Sequence, residues 1–144
     1  MPYAALCERT IPVPRATVFA ALTDFGGLDR YLPGAFDSIQ LEGQGVGSIR
    51  TIILGTATGF PGKVIERLEA AIDQRVYSYS IIGKSSIPFY DYVAVVRLED
   101  AAGGGCVVRY GSNWVPDGMS AAELKVFLET LYGNICDGIV QVHG

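Results

Sequence analysis

Glu66 and Arg50 are the charged pair best placed by the sequence to do chemistry. In "KVIERLEA", Glu66 alternates with Val64 and Leu68, while Lys63, Arg67 and Glu69 take the other side with Ile65. Strand side chains alternate between faces, so Glu66 is the carboxylate expected to point inward. A buried carboxylate needs a partner, and Arg50 in "GSIRTI" is the candidate on the neighbouring strand. Aromatic residues follow the same parity: Tyr77 and Tyr79 share one face, Tyr90 and Tyr92 another, and Tyr110 and Trp114 a third. Each ring is apolar in body and polar at its tip, so the six either pack a core or line a pocket whose polar tips orient a ligand. Asn134 adds an amide on the helical face that carries Phe127 and Leu131. Two chemistries fit this set. One is binding of a small hydrophobic molecule; the other is acid/base catalysis with Arg50 as polariser, Glu66 as acid/base and Tyr92 as hydrogen-bond donor.

Other chemistries lack their residues. The one histidine, His143, stands next to last, where chain ends usually fray, which argues against a catalytic triad or a histidine-ligated metal. Cys7, Cys106 and Cys136 are far apart and odd in number, fitting neither a disulfide framework nor a CxxC metal pair. No metal and no cofactor are expected, and a reducing cytoplasm is the simplest compartment. The glycines of "EGQGVGSIR" do not meet GxGxxG and no helix-like run follows, so they read as a hairpin turn. With 11 Lys+Arg against 15 Asp+Glu and a net charge of −4, no basic patch marks a nucleic-acid or anionic-membrane partner. There is no charged segment leading into an apolar one at the N-terminus, and no run of about 18 apolar residues for a membrane span. A soluble monomer or homodimer is expected.

The elements that must hold these residues are punctuated by glycine and proline. Tyr3 to Val13 reads as a strand, and Pro14 opens a short helix through "ATVFAALTDF". After Gly26-Gly27, "LDRYL" reads as a second short helix. Six strands follow: "FDSIQLE", "GSIRTIIL", "KVIERLEA", "RVYSYSII", "YDYVAVVRLE" and "CVVRYGSNW". Pro116 and the capping pattern Ser120-x-x-Glu123 then start a long amphipathic helix, from about Ser120 to Gln141, with Leu124, Phe127, Leu128, Leu131, Ile135 and Ile139 at helical spacing. At 144 residues one domain, 1–144, is the expectation. Its class is α+β: a curved antiparallel sheet of about seven strands wrapped around the C-terminal helix, with two short helices after the first strand.

That order, carried by "VFAALTDFGGLDRYLP", "EGQGVGSIRTI", "ERLEAAIDQRVYSYSIIG", "IPFYDYVAVVRLE" and "WVPDGMSAAELKVFLETLYGNI", resembles the START-like or Bet v 1-like (SRPBCC) helix-grip superfamily, in particular its bacterial polyketide cyclase/dehydrase-like group. The resemblance spans nearly the whole chain. It implies a cavity between sheet and helix, serving either ligand or lipid binding or a cyclase, dehydratase or aromatase reaction. The chain is also similar to the plant abscisic-acid receptors, whose gate loop reads Ser-Gly-Leu-Pro-Ala before a Glu-Arg-Leu strand. Here "TGFPG" precedes "VIERLE", so Phe60 and Pro61 take the gate positions and the loop 56–62 is implied to be a lid. Packing of Phe60 onto the barrel mouth is the alternative. The same resemblance matches Arg50, Glu66, Tyr92 and Asn134 to the polar network around the receptor ligand. It also sets Asp37 where those receptors carry the lysine that meets the hormone's carboxylate, and "GKSSIPFYDY" lacks their His-Arg-Leu latch. Asp37 alternates with Ile39 and Leu41, which supports an inward position and hence a negatively charged pocket suited to neutral or amine-bearing hydrophobes.

Overall fold

A computed structural model describes residues 2–144. Strand β1 (Ala5–Ile11) leads to helix α1 (Arg15–Thr23) and a single 3-10 turn at Leu28–Arg30. The second of the two expected short helices is therefore one turn long, because Gly26, Gly27 and Pro33 confine it on both sides. Strands β2 (Phe36–Glu42), β3 (Ile49–Leu54), β4 (Gly62–Ile72), β5 (Val76–Ile81), β6 (Phe89–Asp100) and β7 (Cys106–Pro116) follow, and α2 (Ala121–His143) closes the chain. All strand pairs are antiparallel, in the order β1-β7-β6-β5-β4-β3-β2. Among the described residues, no helix is long and apolar enough to cross a membrane.

The alternation read from the sequence gives the sheet one buried face. Val64, Glu66 and Leu68 of β4, Tyr77 and Tyr79 of β5, and Val108, Tyr110, Ser112 and Trp114 of β7 all lie on it. Helix α2 covers that face with Leu124, Leu128, Tyr132, Ile135, Cys136 and Ile139. Each such apolar side chain contributes about 1.5–3 kcal/mol when fully buried. The helix starts where the capping pattern predicts: the Glu123 amide donates to Ser120 Oγ at 3.1 Å, and that hydroxyl donates to Glu123 Oε1 at 2.8 Å. A cap of this kind stabilises by about 1 kcal/mol.

Register shifts interrupt three ladders, between Phe36 and Ser38, between Leu68 and Ala70, and between Tyr90 and Val93. Each inserted residue bends its strand and raises the local twist, which lets the sheet curve about the helix. Each also moves later residues to the other parity, with consequences for the site.

Candidate functional site

Arg50 and Glu66 stand directly opposite in the β3–β4 register. Arg50 Nε and Nη2 lie 2.7 and 2.6 Å from Glu66 Oε1, and Nη1 donates to the Phe25 carbonyl at 3.1 Å. The guanidinium sits over the Phe25 ring at 3.9 Å and the Tyr79 ring at 5.0 Å. Burial alone would favour the neutral form of Arg50, but the adjacent Glu66 carboxylate outweighs it and holds the side chain charged. The pair is 2% and 9% exposed, so it is a sealed ion pair.

Around it the tyrosines bond one another. Tyr79 OH reaches Tyr110 OH at 2.6 Å and Tyr92 OH at 3.2 Å; Tyr92 OH reaches Tyr132 OH at 2.5 Å. The chain ends at Ser112 Oγ, which accepts from Tyr132 OH at 2.7 Å and from the Trp114 indole N–H at 3.2 Å. Burial pushes the Tyr77 phenol up to about 12 and raises Tyr79, Tyr92, Tyr110 and Tyr132 in the same direction. Neutral hydroxyls are thus kept for hydrogen bonding. Among the described residues every fully buried side-chain N or O has a partner. Tyr132 and Ser112 were not singled out by sequence reasoning; Tyr132 falls four residues after Leu128 on the buried stripe, which was the available signal.

A separate cavity of about 660 Å³ opens between α2 and the edge of the sheet. Phe127, Thr130, Leu131, Asn134 and Asp137 of α2 form one wall. The segment Tyr31 to Phe36 forms the second, and Leu54, Ala57, Thr58 and Ile87 close the third side. Gly138 lets α2 approach the second wall, because a Cβ there would overlap the Tyr31 carbonyl oxygen. Of the residues proposed from sequence, Phe127, Leu131 and Asn134 line this space; Asn134 is on its exposed rim. Arg50, Glu66, Tyr77, Tyr79, Tyr92, Tyr110 and Trp114 do not line it, because they fill the interior beside it. Most of the cavity wall was missed: residues 33–35 and Ile87 fall outside every strand or helix segment read from the sequence, and Tyr31, Leu32 and Phe36 stand at the ends of theirs.

Ala57 and Thr58 of loop 56–62 line one end, whereas Phe60 and Pro61, expected to contact a ligand, do not line the cavity. Thr56–Thr58 forms a 3-10 turn, Gly59 takes the left-handed conformation at φ 85°, and Thr58 Oγ donates to the Gly55 carbonyl at 2.7 Å. The turn delivers Phe60 onto Phe127 of α2, edge to face, with ring centroids 4.9 Å apart. Ser86 Oγ donates to the Phe60 carbonyl at 2.9 Å, tying this loop to the loop before β6. Phe60 is half-buried and Pro61 exposed.

Two expected inward residues point out. Tyr90 is 52% exposed although Tyr92 is buried. The register shift at Asp91, whose φ is 54°, places Phe89 and Tyr92 inward together and turns Tyr90 to the outer surface. Asp37 is exposed for the same reason: it is the extra residue between Phe36 and Ser38, and its carboxylate lies near Gly55. With Asp37 outside and Glu66 neutralised by Arg50, the expected negative pocket is not formed.

Residues 7–139 match the model of the family described as polyketide cyclase / dehydrase and lipid transport. The chain belongs to this family. No curated protein matches it. Among solved structures, XoxI from Bacillus cereus superposes with a TM-score of 0.80 at 20% identity, covering 96% of this chain and 94% of that one. An uncharacterized protein from Bacillus thuringiensis superposes with a TM-score of 0.78 at 20% identity, covering 96% of each chain. At such identity the likeness is one of fold. The polyketide cyclase/dehydrase and lipid transport family has a helix-grip fold suited to hydrophobic ligands, and in this member the described cavity lies beside the buried, mutually hydrogen-bonded tyrosines.

Proposed function

We propose that the protein binds a small hydrophobic molecule in the cavity between α2 and the sheet edge, with loop 56–62 as its lid. The observation that carries this reading is the cavity itself. Its 660 Å³ falls within the range of about 300–1,000 Å³ usual for small-molecule sites. Leu54, Ile87, Phe127 and Leu131 give it an apolar lining, and family membership supports the same use. An edge-to-face aromatic pair stabilises by about 0.5–1.5 kcal/mol beyond its area, so the Phe60–Phe127 contact would hold the lid shut by a margin small enough for thermal opening. The similarity of "TGFPG" to the plant gate loop supports the lid role. Binding by a single cytoplasmic domain, 1–144, as monomer or homodimer completes the proposal.

Catalysis is the weaker reading. Arg50, Glu66 and Tyr92, the residues it would use, are satisfied by one another and by neighbouring tyrosines, and none lines the cavity. Titration with an environment-sensitive hydrophobic fluorophore tests the binding proposal. Saturable binding of one molecule per chain, lost in Leu131→Trp with the melting temperature retained, is expected. Equal binding by wild type and Leu131→Trp would overturn it.

A further inference from the structure

The cavity is polar at one end and apolar at the other. Leu54, Ile87 and Phe127 line the apolar end, and Phe60 packs on Phe127 there. Thr130, Asn134 and Asp137 follow along α2 at spacings of four and three residues, which puts them on one face of the helix. Phe127 and Asp137 are ten residues apart, so the wall runs about 15 Å from the lid to the polar end. An occupant of that shape is elongated, with one end able to hydrogen bond.

The facing wall offers that end little. The Ala35 amide donates to the Leu32 carbonyl at 3.1 Å, the Ala35 carbonyl accepts from Gly55 at 3.0 Å, Pro33 has no N–H, and Gly34 has no side chain. Apart from the Tyr31 hydroxyl, which is bonded to His143 Nε2 at 2.8 Å, the polar side chains at that end come from α2. Asp137 is the one acidic or basic side chain of the lining, and its Oδ1 already accepts from Arg9 Nη1 at 2.8 Å. An acidic head would meet a carboxylate, and a cationic head would have to share that carboxylate with Arg9. The Asp137 and Arg9 side chains, 65% and 43% exposed, already hold each other, so neither head gains a free counter-charge there. A hydroxyl or amide head needs none, and the Asn134 amide can both donate to it and accept from it.

We infer that the occupant is a neutral amphiphile, lying along α2 with its alcohol or amide head at Asn134 and Asp137 and its chain beneath Phe60. The inference rests on the cavity binding proposed above. It assigns Asn134 as the head-group contact and the Arg9–Asp137 pair as the group that selects against charge.

The test is calorimetric titration of the whole protein with decanol, decanoate and decylammonium at neutral pH. Wild type is expected to bind decanol roughly tenfold tighter than either ion, a difference of about 1.4 kcal/mol. Asp137→Asn frees Arg9, so decanoate should tighten while decanol changes little. Asn134→Leu should weaken decanol several-fold and narrow its lead over the ions. Equal affinities for all three probes in wild type, or an ion bound more tightly than decanol, would overturn the neutral class while leaving cavity binding intact. Selectivity unchanged by both substitutions would overturn the assignment of Asn134 and Arg9–Asp137. Failure of all three probes to bind would overturn the binding proposal and this inference together.

Discussion

Replacing Glu66 by leucine should cost more stability than any other single loss of a charge in this protein. In the native state Arg50 directs Nε and Nη2 at Glu66 Oε1, at 2.7 and 2.6 Å, and Nη1 at the Phe25 carbonyl at 3.1 Å. In Glu66→Leu the first two contacts vanish and the guanidinium, 2% exposed, cannot reach water. The Phe25 and Tyr79 rings at 3.9 and 5.0 Å offset part of the loss, about 0.5–2 kcal/mol for a cation over an aromatic face. Removing one partner of a buried pair typically costs about 3–5 kcal/mol. For a chain of this size that corresponds to a fall in melting temperature of roughly 10–20 °C. Burial also shields the pair from salt, so the effect should persist at high ionic strength. The double variant Arg50→Met/Glu66→Leu removes both charges and should recover most of the loss. Calorimetric or circular-dichroism melting of the four proteins makes the cycle. A Glu66→Leu melting temperature within a few degrees of wild type, or a double variant less stable than either single one, would refute the sealed-pair account.

The buried tyrosines make a second prediction, with a definite sign. Burial sets the Tyr77 pKa at about 12 in the fold, against about 10 for an ordinary tyrosine. Stabilisation from the neutral phenol is therefore complete below pH about 10 and lost as pH rises through the folded value. Tyr79, Tyr92, Tyr110 and Tyr132 shift the same way. In an ultraviolet titration these five of the eight tyrosines should ionise together with alkaline unfolding; ionisation of all eight in one ordinary phase, with the fold intact, would contradict this. A third prediction concerns loop 56–62, whose amides should exchange quickly in the free protein and slow when a hydrophobic probe binds. Identical exchange in both states would reduce Phe60 to packing on Phe127.

Element order was legible because strand and helix periods are local. The six strand segments from "FDSIQLE" to "CVVRYGSNW" correspond to β2–β7, and the Ser120 cap marks the start of α2. Pairing of Arg50 with Glu66 was legible from parity, since each alternates with apolar neighbours and the strands are adjacent. Parity also produced the two errors. One inserted residue reverses the face of every side chain beyond it, and neither the shift at Asp37 nor that at Asp91 is announced by a glycine or proline within its strand. The tyrosine faces were read correctly for Tyr77, Tyr79, Tyr92 and Tyr110. What their hydroxyls would meet was not, because Tyr92 and Tyr132 are 40 residues apart in sequence and 2.5 Å apart at their oxygens. Most of the cavity's wall beyond Phe127, Leu131 and Asn134 escaped for a related reason: its position depends on how closely Gly138 lets the helix approach Tyr31, a tertiary distance with no local sequence signal.

Native mass spectrometry of freshly purified protein, before and after addition of decanol, tests the binding account most directly. The account predicts a species one small molecule heavier than the bare chain in wild type, and only the bare chain in folded Leu131→Trp, whose larger side chain occupies the cavity. Bare wild-type chain under both conditions, or the same heavier species in Leu131→Trp, would contradict it.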